Sequence, residues 1–206
     1  MTSFSARVAD RGFRLLMKRE PANPDELVTR LRRIAAVARL PGGLPSGVTA
    51  RKTTIGNEPA VPPGVPAVRV SPSQPTATVL YLHGGAFISG RFRTYAELCG
   101  QLAKRLNARV FWIDYRLAPE APYPAALDDA HHAYRALAED YPDEPLALIG
   151  DSAGGNLTLA TLLRLRDAQA ASPDPSPRMP ACAVSISPGA DAVGDAPSRQ
   201  ANAASD

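Results

Sequence analysis

The sequence has little that would support a disulfide-stabilised, membrane-spanning or secreted protein. Its only two cysteines, Cys99 and Cys182, have no C-x-x-C spacing, so we interpret both as reduced thiols. No apolar run approaches the roughly 20 residues that a membrane span needs. The N-terminus also lacks the apolar core of a secretory signal. These absences predict a cytoplasmic protein with no membrane span.

Charge is distributed unevenly along the chain. Residues 1–52 contain eleven Lys and Arg against four Asp and Glu, whereas the remaining residues carry a net charge of −4. A basic arm of this kind fits an anionic lipid surface or an acidic partner, but an amphipathic helix with a solvated cationic face explains it better. Basic residues are not interleaved with aromatic ones, so nucleic acid is not an expected partner.

The first part of the sequence has the pattern of two helices. Arginine and lysine recur at helical spacing in residues 4–19, which predicts the first helix. Asn23 is the expected cap of the second helix, Pro24 fits its first turn and Glu26 sits three residues after the cap. A Pro-Gly-Gly sequence at 41–43 ends this helix.

From about residue 48, short apolar strands alternate with helices. This alternation predicts an α/β fold with a mainly parallel sheet that is covered on both faces. The predicted strands are 48–55, 67–70, 77–82, 109–115, 145–149 and 181–186, and the predicted helices are 94–106, 125–139 and 155–168.

Gly150-Asp151-Ser152-Ala153-Gly154 fits the pattern G-x-S-x-G. Alone, the pentapeptide is a weak signal that is also typical of a Gly/Ser turn without a catalytic role. Here a buried strand runs into it and a helix runs out of it, which predicts a sharp turn that holds the Ser152 hydroxyl above the sheet edge as a nucleophile. We expect Asp151 to stabilise this turn, because it neighbours the nucleophile and cannot orient a separate base.

A second motif, His83-Gly84-Gly85, ends the strand at 77–82. Acyl transfer develops negative charge on a carbonyl oxygen, and losing one backbone N–H that stabilises it costs on the order of 10²–10³ in rate. Gly84 and Gly85, which have no Cβ, and Ala153, the residue after the nucleophile, form the predicted oxyanion hole. Taken alone, the motif is equally compatible with a strand-terminating turn. His83 is expected to shape the loop and not to act as the base.

Both motifs lie at the carboxyl ends of predicted parallel strands, where open α/β sheets bind their ligands. With a third motif between them, they resemble the hormone-sensitive-lipase-like family of α/β-hydrolases, also described as the α/β-hydrolase fold-3 group. The segments that carry the resemblance are Tyr81-Leu82-His83-Gly84-Gly85-Ala86-Phe87, Asp114-Tyr115-Arg116-Leu117-Ala118-Pro119-Glu120 with Pro124-Ala125-Ala126-Leu127-Asp128-Asp129, and Gly150-Asp151-Ser152-Ala153-Gly154-Gly155-Asn156. The sequence departs from the family at Ala86, where a third glycine is usual.

The resemblance implies a serine carboxylic ester hydrolase that acts on short- to medium-chain esters through an acyl-enzyme. It implies a small-molecule ester as the substrate and no metal or organic cofactor. It also implies two regions: residues 1–45 as N-terminal cap helices that border the acyl pocket, and residues 46–206 as a partial catalytic domain.

No histidine follows Ser152 in the sequence. A catalytic triad needs a base and an acid, and in this fold they follow the serine as Asp or Glu and then His. His83, His131 and His132 precede it, and we expect the last two in mid-helix, one exposed and one partly packed. We therefore expect a C-terminally truncated, poorly active form without the last strands of the sheet. Its strand 181–186 would present an unpaired apolar edge and cause self-association.

Two other hypotheses are open at this point. One is a non-catalytic binder of a small ligand, as the plant gibberellin receptors that resemble this family are. The other is an inert fragment with no function of its own. The intact motif around Ser152 does not decide between them, and Asp191, Asp195 and Asp206 come too early in the sequence to supply the acid.

Overall fold

The computed structural model describes residues 22–37, 43–56, 64–171 and 178–189. Its helices are α1 (Pro24–Val37), α2 (Phe92–Leu106), α3 (Ala125–Asp140) and α4 (Ala153–Ala171), and its strands are β1 (Thr49–Ile55), β2 (Val65–Ser71), β3 (Ala77–Leu82), β4 (Ala108–Ile113), β5 (Leu146–Asp151) and β6 (Cys182–Ile186). The predicted helix at 4–19 lies outside the described residues, as do Asp191, Asp195 and Asp206.

Helix α1 begins where the sequence predicts. The Asn23 side chain accepts a hydrogen bond from the Glu26 amide at 2.8 Å, and the Glu26 carboxylate accepts one from the Ala22 amide at 2.7 Å. These bonds satisfy N–H groups that have no partner within the helix. The predicted cap is confirmed.

The six strands form one sheet in the order β1-β2-β4-β3-β5-β6. Strands β4, β3, β5 and β6 are parallel to one another, which confirms the mainly parallel sheet. Strands β1 and β2 instead run antiparallel to each other, and β2 runs antiparallel to β4. The connection from β1 to β2, residues 56–64, is too short for the crossover that two parallel strands need.

Helices cover both faces of the sheet, as predicted. In β3, Val79 and Tyr81 belong to a buried cluster on one face, which α2 completes with Cys99 and Ala103. The alternating residues Leu80 and Leu82 point to the opposite cluster, which α3 and α4 complete. A strand that is buried on both faces needs mainly apolar residues, and β3 is apolar apart from Thr78, whose hydroxyl donates to Glu144 at 3.1 Å.

Strand β6 lies at the end of the sheet order and is poorly covered. It pairs with β5 alone among the described strands. Val184 is 43% exposed and Ile186 is 45% exposed, and Cys182 is exposed as well. The described part of the chain therefore presents an apolar edge strand, which is a surface that favours association.

Neither cysteine is part of a disulfide. Cys99 is buried in α2, and burial, followed by the charge of Asp151, raises the pKa of its thiol to about 12. Within the described ranges, no helix is long and apolar enough to cross a membrane.

Candidate active site

Ser152 lies on a sharp turn between β5, which ends at Asp151, and α4, which begins at Ala153. Its φ is +52°, in the left-handed region that residues with a Cβ rarely adopt. The Ser152 amide donates to the Ile186 carbonyl at 2.8 Å, which fixes the turn against β6. Ser152 itself is exposed, although Ala153 and Gly154 directly after it are buried. This strained strand–turn–helix is the conformation that the motif predicts.

The glycines of the elbow allow its backbone to pack closely. A Cβ on Gly154 would overlap the carbonyl oxygen of Leu82, at the end of β3. A Cβ on Gly150 would overlap the carbonyl oxygen of Gly154 across the turn. The elbow therefore lies directly against the strand that leads into the second motif.

The loop after β3, residues 83–89, is tightly coiled. The Gly85 carbonyl accepts hydrogen bonds from the amides of Ile88 and Ser89, both at 3.0 Å. Gly85 has a φ of +132°, and a Cβ there would overlap Ser89. Ala86 and Phe87 follow with φ values of +54° and +61°. Two consecutive side-chain-bearing residues in the left-handed region mark this loop as strained.

The Asp151 carboxylate joins the elbow to this loop. Its Oδ1 accepts hydrogen bonds from the Tyr81 hydroxyl at 2.9 Å and the Gly84 amide at 3.1 Å. Its Oδ2 accepts one from the Tyr95 hydroxyl at 3.0 Å. Burial, followed by the charge of Asp151, raises the pKa of both phenols.

This network bears on the predicted oxyanion hole. The Gly84 amide also donates to the Tyr95 hydroxyl at 2.9 Å, so both of its partners lie within the network. Within the described residues, no hydrogen bond uses the amide of Gly85 or Ala86. Ala153 is the first residue of α4, a position at which an N–H group has no partner inside the helix. Among the described residues, the amides of Gly85, Ala86 and Ala153 thus have no hydrogen-bond partner, whereas the Gly84 amide is used by the network.

Glycine in place of Ala86 is expected to stabilise the protein. An alanine in the left-handed region costs about 1 kcal/mol that glycine does not incur, and Ala86 has a φ of +54°. The variant Ala86→Gly should therefore raise the free energy of unfolding by about 1 kcal/mol in denaturant titrations. The matched control, Ala136→Gly in the middle of α3, should lower it by about 1 kcal/mol. Equal losses in both variants would contradict the prediction.

His83 is enclosed in a stack of aromatic rings. The imidazole lies between Trp112, at a centroid distance of 4.8 Å, and Tyr115, at 4.2 Å. Its Nδ1 lies 2.8 Å from the Gly84 carbonyl oxygen, which can only accept, so Nδ1 carries the proton. Burial lowers the pKa of His83 to about 4. These contacts support the expectation that His83 shapes the loop.

The buried His83 should make the protein acid-sensitive. The pKa is about 4 in the folded state against 6.5 in the unfolded state, so the unfolded chain binds the proton first as pH falls. The free energy of unfolding is therefore highest above pH 6.5. It should fall by about 3 kcal/mol as the pH is lowered from 6.5 to 4. Denaturant titrations between pH 7 and pH 4 should show this slope, and His83→Gln should reduce it by the His83 share, leaving the share of His131, whose pKa is also lowered to about 4. An unchanged slope in that variant would contradict the prediction.

The other two histidines lie on α3, and both are half-buried. The expectation that one of them is exposed was wrong, because Gly56 at the end of β1 lies against His132, whose Nε2 is 3.4 Å from the Gly56 carbonyl oxygen. Burial, and then the charge of Arg164, lower the pKa of His131 to about 4. No hydrogen bond of the described residues connects either ring to Ser152.

The motif at 114–120 contributes Arg116 and Ala118 to the lining of a cavity. Asp129 holds Arg116, whose amide and Nη2 donate to the carboxylate at 2.8 and 2.7 Å. The Glu120 carboxylate accepts hydrogen bonds from both terminal nitrogens of Arg32, at 2.7 and 2.6 Å. This pairing lowers the pKa of Glu120 to about 2. The role of Arg32 is not visible in the sequence, because its partner lies 88 residues away.

Arg32 also fastens α1 to the site. Its Nε donates to the Ile88 carbonyl at 2.8 Å, and its Nη2 donates to the Ala118 carbonyl at 2.9 Å. Ala118 in turn donates its amide to the Phe87 carbonyl at 2.9 Å. One guanidinium therefore ties α1 both to the 83–89 loop and to the motif at 114–120.

A largely apolar cavity of about 320 Å³ lies between the 83–89 loop, the 116–124 loop and the first turns of α3 and α4. Its walls include Phe87, Tyr123, Leu127 and Leu157. Asn156, four residues after Ser152, lines it from α4. A cavity of this size and polarity accommodates a small apolar group.

The sheet, the elbow and the facing glycine loop together define the α/β-hydrolase class. Residues 79–206 match the sequence model of the family described as alpha/beta hydrolase fold. The chain belongs to this family, and within it to the hormone-sensitive-lipase-like group.

Curated relatives and solved structures give the same assignment. An "Acetyl-hydrolase" of Streptomyces hygroscopicus is 44% identical over 115 residues, which cover 55% of this chain and 36% of that protein. "Esterase LipI" of Mycobacterium tuberculosis is 45% identical over 94 residues, 43% of this chain and 29% of that protein. The crystal structure of an esterase from the bacterial hormone-sensitive lipase family superposes with a TM-score of 0.76 at 28% identity, covering 100% of this chain and 64% of that one. The chain thus spans about a third of the length of these curated relatives and 64% of the solved structure.

Proposed function

We propose that this chain carries the nucleophile and the oxyanion-binding loop of a serine carboxylic ester hydrolase. The observation that supports the proposal is the position of Ser152, exposed on a strained elbow beside a loop with unused backbone amides. Ser152 Oγ attacks the carbonyl carbon of the ester, and the oxygen that becomes negative accepts hydrogen bonds from the amides of Gly85, Ala86 and Ala153. The ester C–O bond then breaks, the alcohol leaves with the proton that the serine hydroxyl has lost, and water hydrolyses the acyl-enzyme to the carboxylic acid and free Ser152.

The base and the acid are not among the residues that the structure brings to Ser152. All three histidines precede the serine in the sequence, and the structure places His83 in an aromatic stack and the other two on α3. We infer that residues 46–206 are part of a catalytic domain, residues 1–45 are its cap helices, and the 206 residues alone hydrolyse esters poorly. The two ionic contacts that Arg32 makes with Glu120 support the assignment of α1 to a cap.

The substrate class follows from the apolar cavity beside the elbow. Its volume of about 320 Å³ and its walls of Phe87, Leu127 and Leu157 suit the acyl or alcohol group of a short- to medium-chain ester. Relatives named acetyl-hydrolase and esterase agree with this class.

A fluorophosphonate probe, which forms a covalent bond with activated serines, tests the proposal. A longer form of the protein that supplies an acid and a histidine after Ser152 should label rapidly, and Ser152→Ala should abolish the labelling. The 206-residue chain should label slowly. A longer form that is folded, binds small esters and does not label would instead favour the non-catalytic ligand binder.

Self-association through β6 is a further part of the proposal. Val184 and Ile186 expose apolar surface on a strand without a second neighbour among the described strands. Lysine on an edge strand opposes pairing with another chain, so Val184→Lys should shift the 206-residue chain toward the monomer in analytical ultracentrifugation. The control Leu106→Lys, at a leucine 50% exposed on α2, should leave the distribution unchanged. A monomeric parent chain at high concentration would contradict the prediction.

A further inference from the structure

We propose that Asp151 is a positioning residue that sets the distance between the nucleophile and the oxyanion-binding amides. This inference rests on the proposed function and deepens it. Asp151 directly precedes Ser152, so its carboxylate and the nucleophile share one backbone segment. The same carboxylate holds the Gly84 amide at 3.1 Å, directly before the unused amides of Gly85 and Ala86.

The carboxylate collects donors from three separate elements. Tyr81 comes from β3, Gly84 from the loop after it, and Tyr95 from α2. Tyr95 closes the network, because its hydroxyl donates to Asp151 and accepts from the Gly84 amide at 2.9 Å. Carboxylate oxygens accept hydrogen bonds, so all of these donors converge on Asp151, and the Gly84 amide is shared between Asp151 and the Tyr95 hydroxyl.

The shape of the loop is consistent with this role. A Cβ on Gly84 would lie 2.5 Å from Oδ2 of Asp151, so the carboxylate can approach the loop only because residue 84 is glycine. The ring of Tyr81 is completely buried, and Tyr95 packs against it at a centroid distance of 5.6 Å. Core packing therefore fixes the positions of the donors. Because they bond to Asp151, they also fix the elbow relative to the loop.

This role differs from simple stabilisation of the turn. A turn-stabilising aspartate bonds to its own neighbours in sequence, whereas the partners of Asp151 lie 70, 67 and 56 residues away. Loss of the carboxylate should leave the Gly84 amide with the Tyr95 hydroxyl as its acceptor and deprive that hydroxyl of its own acceptor, so the loop should move relative to Ser152. A displacement of about 1 Å in a reacting geometry can cost about 10² in rate.

Hydrogen exchange of segment 83–89 in the 206-residue chain tests the structural part without any need for catalysis. In Asp151→Ala, the Gly84 amide should exchange about tenfold faster or more, because it loses the carboxylate and its other acceptor, the Tyr95 hydroxyl, loses the partner that holds it in place. Asp151→Asn keeps one acceptor oxygen and should recover part of the protection. The matched control is Glu144→Ala, which removes a carboxylate bonded to Arg109 at the amino ends of β3 and β4. It should leave exchange in segment 83–89 unchanged.

The kinetic part uses a longer form that labels with the fluorophosphonate. Asp151→Ala should lower the maximal labelling rate constant by about 10- to 100-fold and change the half-saturating probe concentration by less than about twofold. Asp151→Asn should restore part of the rate. A purely structural role would instead reduce the amount of folded protein and leave the rate of the folded fraction unchanged.

Two results would overturn the proposal. One is that the Gly84 amide exchanges at the same rate in Asp151→Ala as in Glu144→Ala. The other is a folded Asp151→Ala variant of the longer form with the labelling rate of the parent. If Asp151→Ala does not fold, Tyr95→Phe removes one donor while keeping the ring, and it should show the same two changes at smaller size. Absence of labelling in the parent would count against the proposed function alone, since the exchange result would still stand.

Discussion

Replacing Ser152 by alanine is expected to lower kcat for ester hydrolysis by about 10⁶-fold in a form of the protein with a complete triad. The same substitution in the 206-residue chain is expected to change hydrolysis by less than about tenfold. A serine hydroxyl is a weak nucleophile until a base takes its proton, and no histidine follows Ser152 in this chain. The residues of a triad act as a unit, so removing a second member costs little. Steady-state hydrolysis of a nitrophenyl acetate ester measures both effects.

Ser185→Ala is the matched control for this prediction. Ser185 donates to the Gly155 carbonyl at 2.9 Å, close to the elbow but on β6, and it has no part in the proposed chemistry. Its kcat should stay within about threefold of the parent, as expected for the loss of one neutral hydrogen bond. Rapid, Ser152-dependent hydrolysis by the 206-residue chain would contradict the prediction, because it would require one of the three existing histidines to serve as the base.

Segments that are buried on both faces along their whole length were predicted well from the sequence. The predicted strand at 77–82 coincides with β3, because burial on both faces demands a mainly apolar run, here interrupted by Thr78 alone. Helix α4 begins at Ala153, two residues before the predicted start at 155. Gly154 and Gly155 weaken a helix in isolation, but here they pack against β3 and β6. Tertiary contact, which local propensity does not contain, decides that boundary.

Strand direction and order could not be predicted in the same way. The spacing of apolar residues identified β1 and β2 as strands, but it does not tell which strand each one pairs with. In the structure, β2 pairs with β4, although β3 follows it directly in the sequence. The pairing is decided by contacts between distant segments, such as Ala67 with Ile113 and Val70 with Val110.

At the candidate site, the motifs identified the residues but not their connections. The sequence placed Asp151 in a turn, yet it gave no sign that Tyr81 and Tyr95 donate to its carboxylate. For the same reason, it assigned the Gly84 amide to the oxyanion, whereas the structure directs that amide to Asp151 and Tyr95. Hydrogen bonds between distant segments depend on side-chain placement that a linear motif does not encode.

Gly154→Ala is expected to lower the free energy of unfolding by about 4 kcal/mol or more, the largest stability effect that we predict. A Cβ at this position would overlap the Leu82 carbonyl oxygen and would lie 2.6 Å from the His83 carbonyl oxygen. Both obstacles are backbone atoms, so a side-chain rotation cannot relieve the overlap. The elbow and the end of β3 would have to separate, which would also break the contact between Asp151 and Gly84. Denaturant titration measures the loss.

The neighbouring glycine provides the control that separates this collision from the general effect of adding a methyl group to α4. At Gly155, a Cβ would lie 3.0 Å from the Ser185 hydroxyl and 3.1 Å from the Ile186 carbonyl, at the exposed edge strand β6. Alanine also favours the helix by about 1 kcal/mol over glycine. These effects oppose each other, so the free energy of unfolding of Gly155→Ala should lie within about 1 kcal/mol of that of the parent. Equal destabilisation by the two substitutions would mean that α4 tolerates neither, and that close packing of the elbow on β3 is not what makes Gly154 necessary.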